Sequence, residues 1–128
     1  MQSISVWRTN SEKAVRTVSE SIDESLAART KLINIITICR RAGKLEMGFD
    51  ASVQSAEKHK ARLIFTAADV SPKTAKEAEF AAEKYNVPYM KLSVKMDDLY
   101  YGLSKRIGVA AVCDQGFADR IAQLEQNS

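Results

Sequence analysis

Two short apolar runs constrain the fold of this chain more than any other feature. Leu63-Ile64-Phe65-Thr66-Ala67 and Val109-Ala110-Ala111-Val112 carry almost no polar side chains, a pattern typical of strands that are buried on both faces. Such strands need helices on both sides of their sheet, and segments with helical periodicity separate the two runs. The sequence therefore predicts an α/β fold, a three-layer α/β/α sandwich. The length of 128 residues, 45% of them hydrophobic, predicts one compact domain.

The other predicted elements alternate between helices and short strands. An apolar helix begins at Thr30, and Gly43 supplies its stop. Ser71 and Pro72 open a later helix as N-cap and first helical residue. Around the two apolar runs, the full prediction is a helix over 30–42, a strand over 45–47, a helix over 50–60, a helix from 72 that stops at 86, a strand over 89–92, a helix over 96–105 and a last helix from 116.

Residues 1–29 differ in composition from the rest of the chain. They lack glycine and proline and are rich in Ser, Thr, Glu and Arg. Val15, Val18, Ile22 and Leu26 follow one another at the three- and four-residue spacings of an amphipathic helix. Such a segment could pack on the domain, bind a protein partner or a second copy of the chain, or be partly disordered, and the sequence does not choose among these. We therefore divide the chain into an N-terminal extension, 1–29, and a domain, 30–128.

The positive charge of the chain is concentrated in one segment. Residues 30–62 hold seven Lys and Arg against three Asp and Glu, whereas residues 1–29 hold four of each and residues 63–128 hold eight against nine. A local positive excess attracts a phosphate backbone whatever the net charge of the whole chain, which is +3. The alternative is that these are ordinary solvated side chains on a protein surface. Nucleic acid is the partner class that this pattern favours.

The sequence offers little for catalysis, metal binding or a cofactor. Cys39 and Cys113 stand far apart in apolar surroundings without paired-ligand spacing, and we interpret both as buried small hydrophobes. His59, the single histidine, is predicted at an exposed helix end with no acid or nucleophile partner. Asp97-Asp98 belongs to no complete set of metal ligands. We expect no enzyme activity, no metal and no cofactor.

No segment has the features of a membrane span or an import signal. The longest apolar runs are far shorter than a bilayer crossing, and the four acids in residues 1–29 are unlike an import peptide. We expect a cytoplasmic protein with no membrane partner.

Several short motifs, in order along the chain, resemble one known family. They are Arg41-Ala42-Gly43-Lys44 with Gly48, then Ala67-Ala68-Asp69-Val70, and then Asn86-Val87-Pro88. With the final Val-Ala-Ala-Val strand, this order is similar to that of the ribosomal protein L7Ae/L30e superfamily, in particular its small stand-alone bacterial members. The similarity covers Lys31 to Leu124. The resemblance implies a mixed four-stranded sheet between helices, no catalysis, no cofactor, and binding to structured RNA, especially kink-turns.

RNA-binding members of this superfamily use three places on the fold, and the first departs most in this chain. It is a Gly-x-Asn-Glu-x-x-Lys element in which a helix N-terminus meets tandem sheared G·A pairs. This chain has Gly48-Phe49-Asp50-Ala51-Ser52-Val53-Gln54 there. Asp50 occupies the position of the family's amide donor, Ala51 replaces the glutamate and so lacks its carboxylate, and Gln54 replaces the lysine. The family's base recognition therefore does not transfer directly to this chain. Phosphate contacts at the helix N-terminus remain.

The other two places match the family pattern more closely. The loop after the first apolar run reads Ala67-Ala68-Asp69-Val70, with three matches to the family's Ala-Glu-Asp-Val. The turn before the last strand reads Arg106-Ile107-Gly108-Val109. The family uses an apolar turn there to support an extruded nucleotide, a role open to Ile107 and Val109, although an ordinary strand entry looks the same. With the basic residues expected to flank these places, including Lys105, the predicted RNA-binding residues are Arg40, Arg41, Lys44, Gly48, Phe49, Asp50, Gln54, Ala68, Asp69, Val70, Lys73, Arg106, Ile107, Gly108 and Val109.

Two functions compete on these observations. The leading hypothesis is a non-catalytic, ribosome-associated protein of translation that binds structured, kink-turn-like RNA, because the positive charge coincides with the family's RNA-binding places. The alternative is a protein-interaction or scaffold member of the same fold that has lost kink-turn recognition. That alternative is favoured by the departures from the family motif at Asp50, Ala51 and Gln54. It is also favoured by the N-terminal extension, which offers a surface for a protein partner.

Overall fold

The computed structural model describes residues 27–126 and has a mixed four-stranded sheet at its centre. The strands are β1 (Leu45–Met47), β2 (Leu63–Thr66), β3 (Tyr89–Lys91) and β4 (Val109–Val112), in the spatial order β1-β4-β2-β3. β4 runs antiparallel to both β1 and β2, and β2 runs parallel to β3. Every residue of β2 and β4 is buried. The two apolar runs therefore form the central strands, which confirms the prediction.

Five helices lie within the described residues and cover both faces of the sheet. They are α1 (described over 27–41), α2 (Phe49–Glu57), α3 (Pro72–Lys84), α4 (Met96–Leu103) and α5 (Gln115–Gln126). α1, α4 and α5 share a core with Phe65 and Val112, whereas α2 and α3 share a second core with Ile64 and Ala111. Neighbouring strand residues point to opposite faces, so β2 and β4 contribute to both cores. The predicted three-layer sandwich is confirmed, and none of these helices is long and apolar enough to span a bilayer.

Gly43 ends α1 as predicted. It adopts a left-handed φ of 73°. Its N–H donates to the Arg40 carbonyl oxygen at 2.9 Å, and the Lys44 N–H donates to the Cys39 carbonyl oxygen at 3.0 Å. These two bonds satisfy carbonyl groups that the end of the helix leaves unpaired, the arrangement of a glycine C-cap. The chain then turns directly into β1.

Two other helices end earlier than the sequence predicted. α2 ends at Glu57 instead of continuing to residue 60, and α4 ends at Leu103 instead of residue 105. His59 and Ser104 adopt left-handed φ values of 62° and 56°, which a continuing α-helix excludes. Because neither residue is the glycine or asparagine that usually marks such a stop, the residue types gave no signal.

The boundary predicted for the N-terminal extension lies inside a helix. Residues 27–29, which composition assigned to the extension, are helical and continuous with residues 30–41. Val15, Val18, Ile22 and Leu26 lie outside the described residues. The amphipathic helix and the division of the chain at residue 29 therefore stay predictions.

Candidate nucleic-acid interface

Three loops meet at one end of the sheet and enclose a groove of about 380 Å³. β1 ends there just before Gly48, β2 ends there after Thr66, and β4 begins there at Val109. Because β4 is antiparallel to both neighbours, its first residues lie beside their last residues. We call this surface the loop groove. Its lining residues are Gly48, Phe49, Val70, Ser71, Thr74, Met96, Lys105, Arg106, Ile107, Gly108 and Val109.

Gly48 connects β1 to α2 in a conformation that suits only glycine, with φ 102° and ψ 159°. Its N–H donates to the Val109 carbonyl oxygen at 2.8 Å, which ties the start of α2 to β4. Its carbonyl oxygen accepts the Ser52 N–H at 3.0 Å and the Ser52 hydroxyl at 2.7 Å. No side-chain hydrogen bond caps this end of α2. The first N–H groups of the helix therefore stay available to an anionic ligand, as the sequence predicted.

Gly108 brings the other two loops into contact because it has no side chain. A Cβ atom at this position would lie 2.6 Å from Val70 Cγ1 and 3.3 Å from Met96 Sδ. The Gly108 carbonyl oxygen also accepts the Ala67 N–H at 2.9 Å. The loop after β2 and the turn before β4 thus form one packed wall of the loop groove, and Val70 and Gly108 are neighbours in it.

Polar side chains hold the loop after β2 in place. Asp69 Oδ1 accepts the Met96 N–H at 2.9 Å and so satisfies a donor at the start of α4. Ser71 Oγ accepts the Thr74 N–H at 3.2 Å and caps α3, as the sequence predicted. Ser71 lines the loop groove and Asp69 lies beside it, and both also form hydrogen bonds that stabilise the fold.

The loop groove carries a small positive charge. Lys105 and Arg106 line it. Arg106 Nε lies 3.6 Å from Asp97 Oδ1, and both side chains are largely exposed, so this pair contributes little to stability and can give way to a phosphate. Asp50, in the first turn of α2, and Asp69 add negative charge beside the groove. Backbone N–H groups and shape must therefore supply much of the binding of an anionic ligand.

Most of the predicted RNA-binding residues come together at this end of the sheet. Gly48, Phe49, Val70, Arg106, Ile107, Gly108 and Val109 line the loop groove, and Asp50, Ala68, Asp69 and Lys73 belong to the same loops or to the first turns of α2 and α3. Gln54 is exposed one helical turn beyond Asp50.

Arg40, Arg41 and Lys44 do not line the loop groove, and Lys44 lies at the opposite end of β1 from it, which corrects the expectation for Lys44. Lys44 precedes β1, and its carbonyl oxygen accepts the Cys113 N–H at 2.8 Å, just beyond the last residue of β4. Gly48 lies at the other end of β1, beside the first residue of β4. Arg41 is the last residue of α1, and the Arg40 guanidinium donates to a backbone carbonyl of α4. Lys44 and Gly48 are separated because they flank the extended strand β1.

Ile107 and Val109 line the loop groove but are largely buried. Their exposed fractions are 5% and 3%, and their side chains pack in the two cores. Little of either side chain is exposed to a base, so the nucleotide-supporting role of this turn stays a prediction beside the strand-entry alternative. Phe49 and Val70 are half-buried and supply apolar surface in the groove instead.

The sequence analysis did not place Ser71, Thr74 or Met96 at the site. Ser71 was predicted only as the cap of α3. Met96 reaches the groove because Asp69 holds the start of α4. That contact joins two loops distant in sequence, so no local pattern predicted it.

No His, Cys, Asp or Glu side chain is among the described residues that line the loop groove. Residues 27–126 contain no group of three His, Cys, Asp or Glu side chains that could hold a metal ion. His59 is exposed and lines a different pocket. Burial raises the pKa of the Cys39 thiol to about 12, with smaller contributions from Cys113 and Asp114, and so keeps that thiol protonated.

Sequence comparisons match this chain to one family and to two bacterial relatives. The model of the ribosomal protein L7Ae/L30e/S12e/Gadd45 family matches residues 30–121. The RNA-binding protein YlxQ of Enterococcus faecium is 30% identical over 96 residues, which are 75% of this chain and 92% of the relative. The RNA-binding protein YlxQ of Bacillus subtilis strain 168 is 30% identical over 95 residues, which are 70% of this chain and 90% of the relative.

Solved structures share the fold at lower identity. A protein of unknown function from Bacillus halodurans superposes with a TM-score of 0.69 at 22% identity, covering 75% of this chain and 97% of that one. A Giardia lamblia 15.5 kD RNA binding protein superposes with a TM-score of 0.62 at 18% identity, covering 78% of this chain and 86% of that one. These two likenesses establish the architecture.

Proposed function

The chain belongs to the ribosomal protein L7Ae/L30e/S12e/Gadd45 family, and we propose that it is a non-catalytic RNA-binding protein that recognises structured, kink-turn-like RNA through the loop groove. The observation that carries this proposal is the meeting of three loops, where Gly108 packs against Val70 beside the start of α2, which no side chain caps. The names of the two bacterial relatives support RNA as the partner. A cytoplasmic, ribosome-associated role in translation belongs to the same proposal.

Each wall of the loop groove would contact a different part of the RNA. The first N–H groups of α2 and the side chains of Lys105 and Arg106 suit phosphate oxygens. Phe49 and Val70 offer apolar surface to an unstacked base. Structured RNA with a sharp bend presents phosphates and unstacked bases close together, which is the combination that this groove fits.

Asp50 limits how tightly this groove holds RNA. Its exposed carboxylate lies in the first turn of α2, where a phosphate would approach, and it cannot donate a hydrogen bond while ionised. An asparagine there would keep the size and remove the repulsion. At about 4 Å in a water-like medium that repulsion is about 1 kcal/mol, close to a fivefold change in affinity.

The experiment is a titration of three fluorescent RNAs with the wild-type protein and Asp50→Asn. The RNAs are an intact kink-turn, the same RNA with its G·A pairs disrupted, and an unrelated hairpin, each at several salt concentrations. The matched control is Asp119→Asn, which removes one exposed carboxylate from α5, away from the lining of the loop groove. We expect at least about tenfold preference for the intact kink-turn, and tighter binding by Asp50→Asn but not by Asp119→Asn.

Two results would contradict this proposal in different ways. Equal, strongly salt-dependent binding to all three RNAs would reduce the function to attraction of the phosphate backbone. Absence of binding to any of them at low salt would favour the protein-interaction alternative.

A further inference from the structure

The charge that does not reach the loop groove gathers at the other end of the sheet. Lys44, Lys60 and Arg62 line a surface pocket of about 420 Å³. We call these three side chains the basic end. They are three of the seven cations in the positively charged segment 30–62. The rest of the pocket is lined by Gly43, Glu46, His59 and Cys113.

The strand pairing brings these three residues together from separate segments. Lys44 immediately precedes β1, and its carbonyl oxygen accepts the Cys113 N–H at 2.8 Å. Arg62 immediately precedes β2, and its N–H donates to the Val112 carbonyl oxygen at 2.7 Å. Both bonds lie at the end of β4, so the two cations sit on either side of the central strand. Lys60 joins them from the turn between α2 and β2.

The cations of the basic end are not engaged in holding the fold together. All three are exposed, and none of their side chains forms an ion pair or hydrogen bond with another residue of the described range 27–126. Arg40 and Arg106, by contrast, contact a backbone carbonyl and a carboxylate. Three unpaired cations facing one acid give this pocket a net attraction for anions.

We propose that the basic end is a second RNA-contacting surface, which holds phosphates of a stem that extends beyond the loop groove. This inference rests on the proposed function, because the loop groove must first position the RNA. The path from Val109 to Cys113 along β4 is about 14 Å at about 3.4 Å per residue. This path matches about five base pairs of an A-form RNA duplex, which rises about 2.8 Å per pair. Contacts of this kind position the RNA without reading its sequence.

The test uses two kink-turn RNAs that differ only in the length of the stem leaving the loop groove. The long RNA carries about eight additional base pairs, about 22 Å at about 2.8 Å each in an A-form stem, which is enough to pass the basic end. The test variant combines Lys44→Gln, Lys60→Gln and Arg62→Gln. The control combines Lys76→Gln, Lys84→Gln and Lys91→Gln, which removes the same charge from α3 and β3. Kd is measured over a range of salt concentrations, and circular dichroism checks each fold.

The expected result is a change in salt dependence confined to the long RNA. With wild-type protein, the slope of log Kd against log salt is steeper by about 2 to 3 for the long RNA than for the short one, about one unit for each phosphate contact. The test variant removes this difference, and the control variant keeps it. Lys60→Gln alone lowers the slope by about 1, which gives a readout that does not depend on folding of the triple variant.

Other outcomes overturn the inference. The inference is wrong if the wild-type slopes are equal for the two RNAs, or if the test variant retains the slope difference. Either result would show that the basic end does not contact the RNA, while RNA binding by the loop groove would stand. An equal loss in both variants would reduce the effect to net charge. A loss on the short RNA as well would place these residues in the primary site. Failure of wild-type protein to bind either RNA would overturn the proposed function itself.

Discussion

Gly48 and Gly108 both shape the loop groove, but each is required for a different physical reason. A Cβ atom at Gly48 would have no neighbour within 4 Å, yet the φ of 102° at this position strains any other residue. Gly108 has no such φ, and it is required because Val70 occupies the space where a side chain would lie. A sequence marks both simply as turn residues, so only the packing distinguishes them.

Gly108→Ala should destabilise the protein by about 1–3 kcal/mol, because the added methyl group overpacks against Val70. Urea unfolding measures this free energy. The control is the double variant with Val70→Ala, in which the contact that causes the clash is removed. We expect the cost of Gly108→Ala to be smaller in that background, and equal costs in both backgrounds would show that Val70 does not limit the space at Gly108.

Cys39 should make stability decrease in alkaline solution. Burial raises the pKa of its thiol from 9.0 to about 12, so between these pH values the unfolded chain releases a proton that the folded chain retains. Its contribution is complete below the unfolded pKa and is lost as the pH rises toward the folded value. The free energy of unfolding should fall less between about pH 8 and about pH 10.5 in Cys39→Ala than in wild type. Equal pH dependence in the two proteins would contradict the assignment.

At the scale of secondary-structure elements, contacts between loops fix where helices begin. Asp69 follows β2, yet its carboxylate accepts the N–H of Met96 at the start of α4. The same loop continues into Ser71, which caps α3. One short loop therefore supplies the cap of α3 and an acceptor at the start of α4, where Asp98 also accepts the Lys95 N–H, and that loop forms part of the groove.

Asp69 should be more important for stability than its exposure indicates. Asp69→Ala removes the acceptor for the Met96 N–H and should cost about 0.5–2 kcal/mol, the usual cost of losing a helix cap. Asp69→Asn keeps an oxygen acceptor and should cost much less. Thermal melting of the two variants separates these cases. An equal loss in both would mean that the charge, and not the hydrogen bond, matters.

The sequence predicted the type and order of the elements well, because their signals are local. β2 and β4 are uninterrupted apolar runs, and Gly43 and Ser71 are residues whose chemistry ends or begins a helix. The ends of α2 and α4 were missed, because the left-handed conformations of His59 and Ser104 depend on the tertiary structure and not on the residue type.

At the scale of the whole molecule, strand order decides which charges act together. Segment 30–62 is one block in sequence, but the extended strand β1 within it puts Lys44 and Gly48 at opposite ends of the sheet. The sequence identified the loops of the candidate site through local motifs. It did not show that Lys44 and Arg62 come together at the basic end, because that depends on the strand pairing β1-β4-β2.

The most direct measurement of the central claim is a backbone amide chemical-shift titration of the ¹⁵N-labelled protein with an intact kink-turn RNA. We predict that the largest shifts map to the start of α2 after Gly48, to residues 68–71, and to the turn over 105–108, which together form the loop groove. Shifts concentrated instead on the exposed Tyr100 and Tyr101 of α4 or on Phe80 of α3, with the three loops unchanged, would contradict the account.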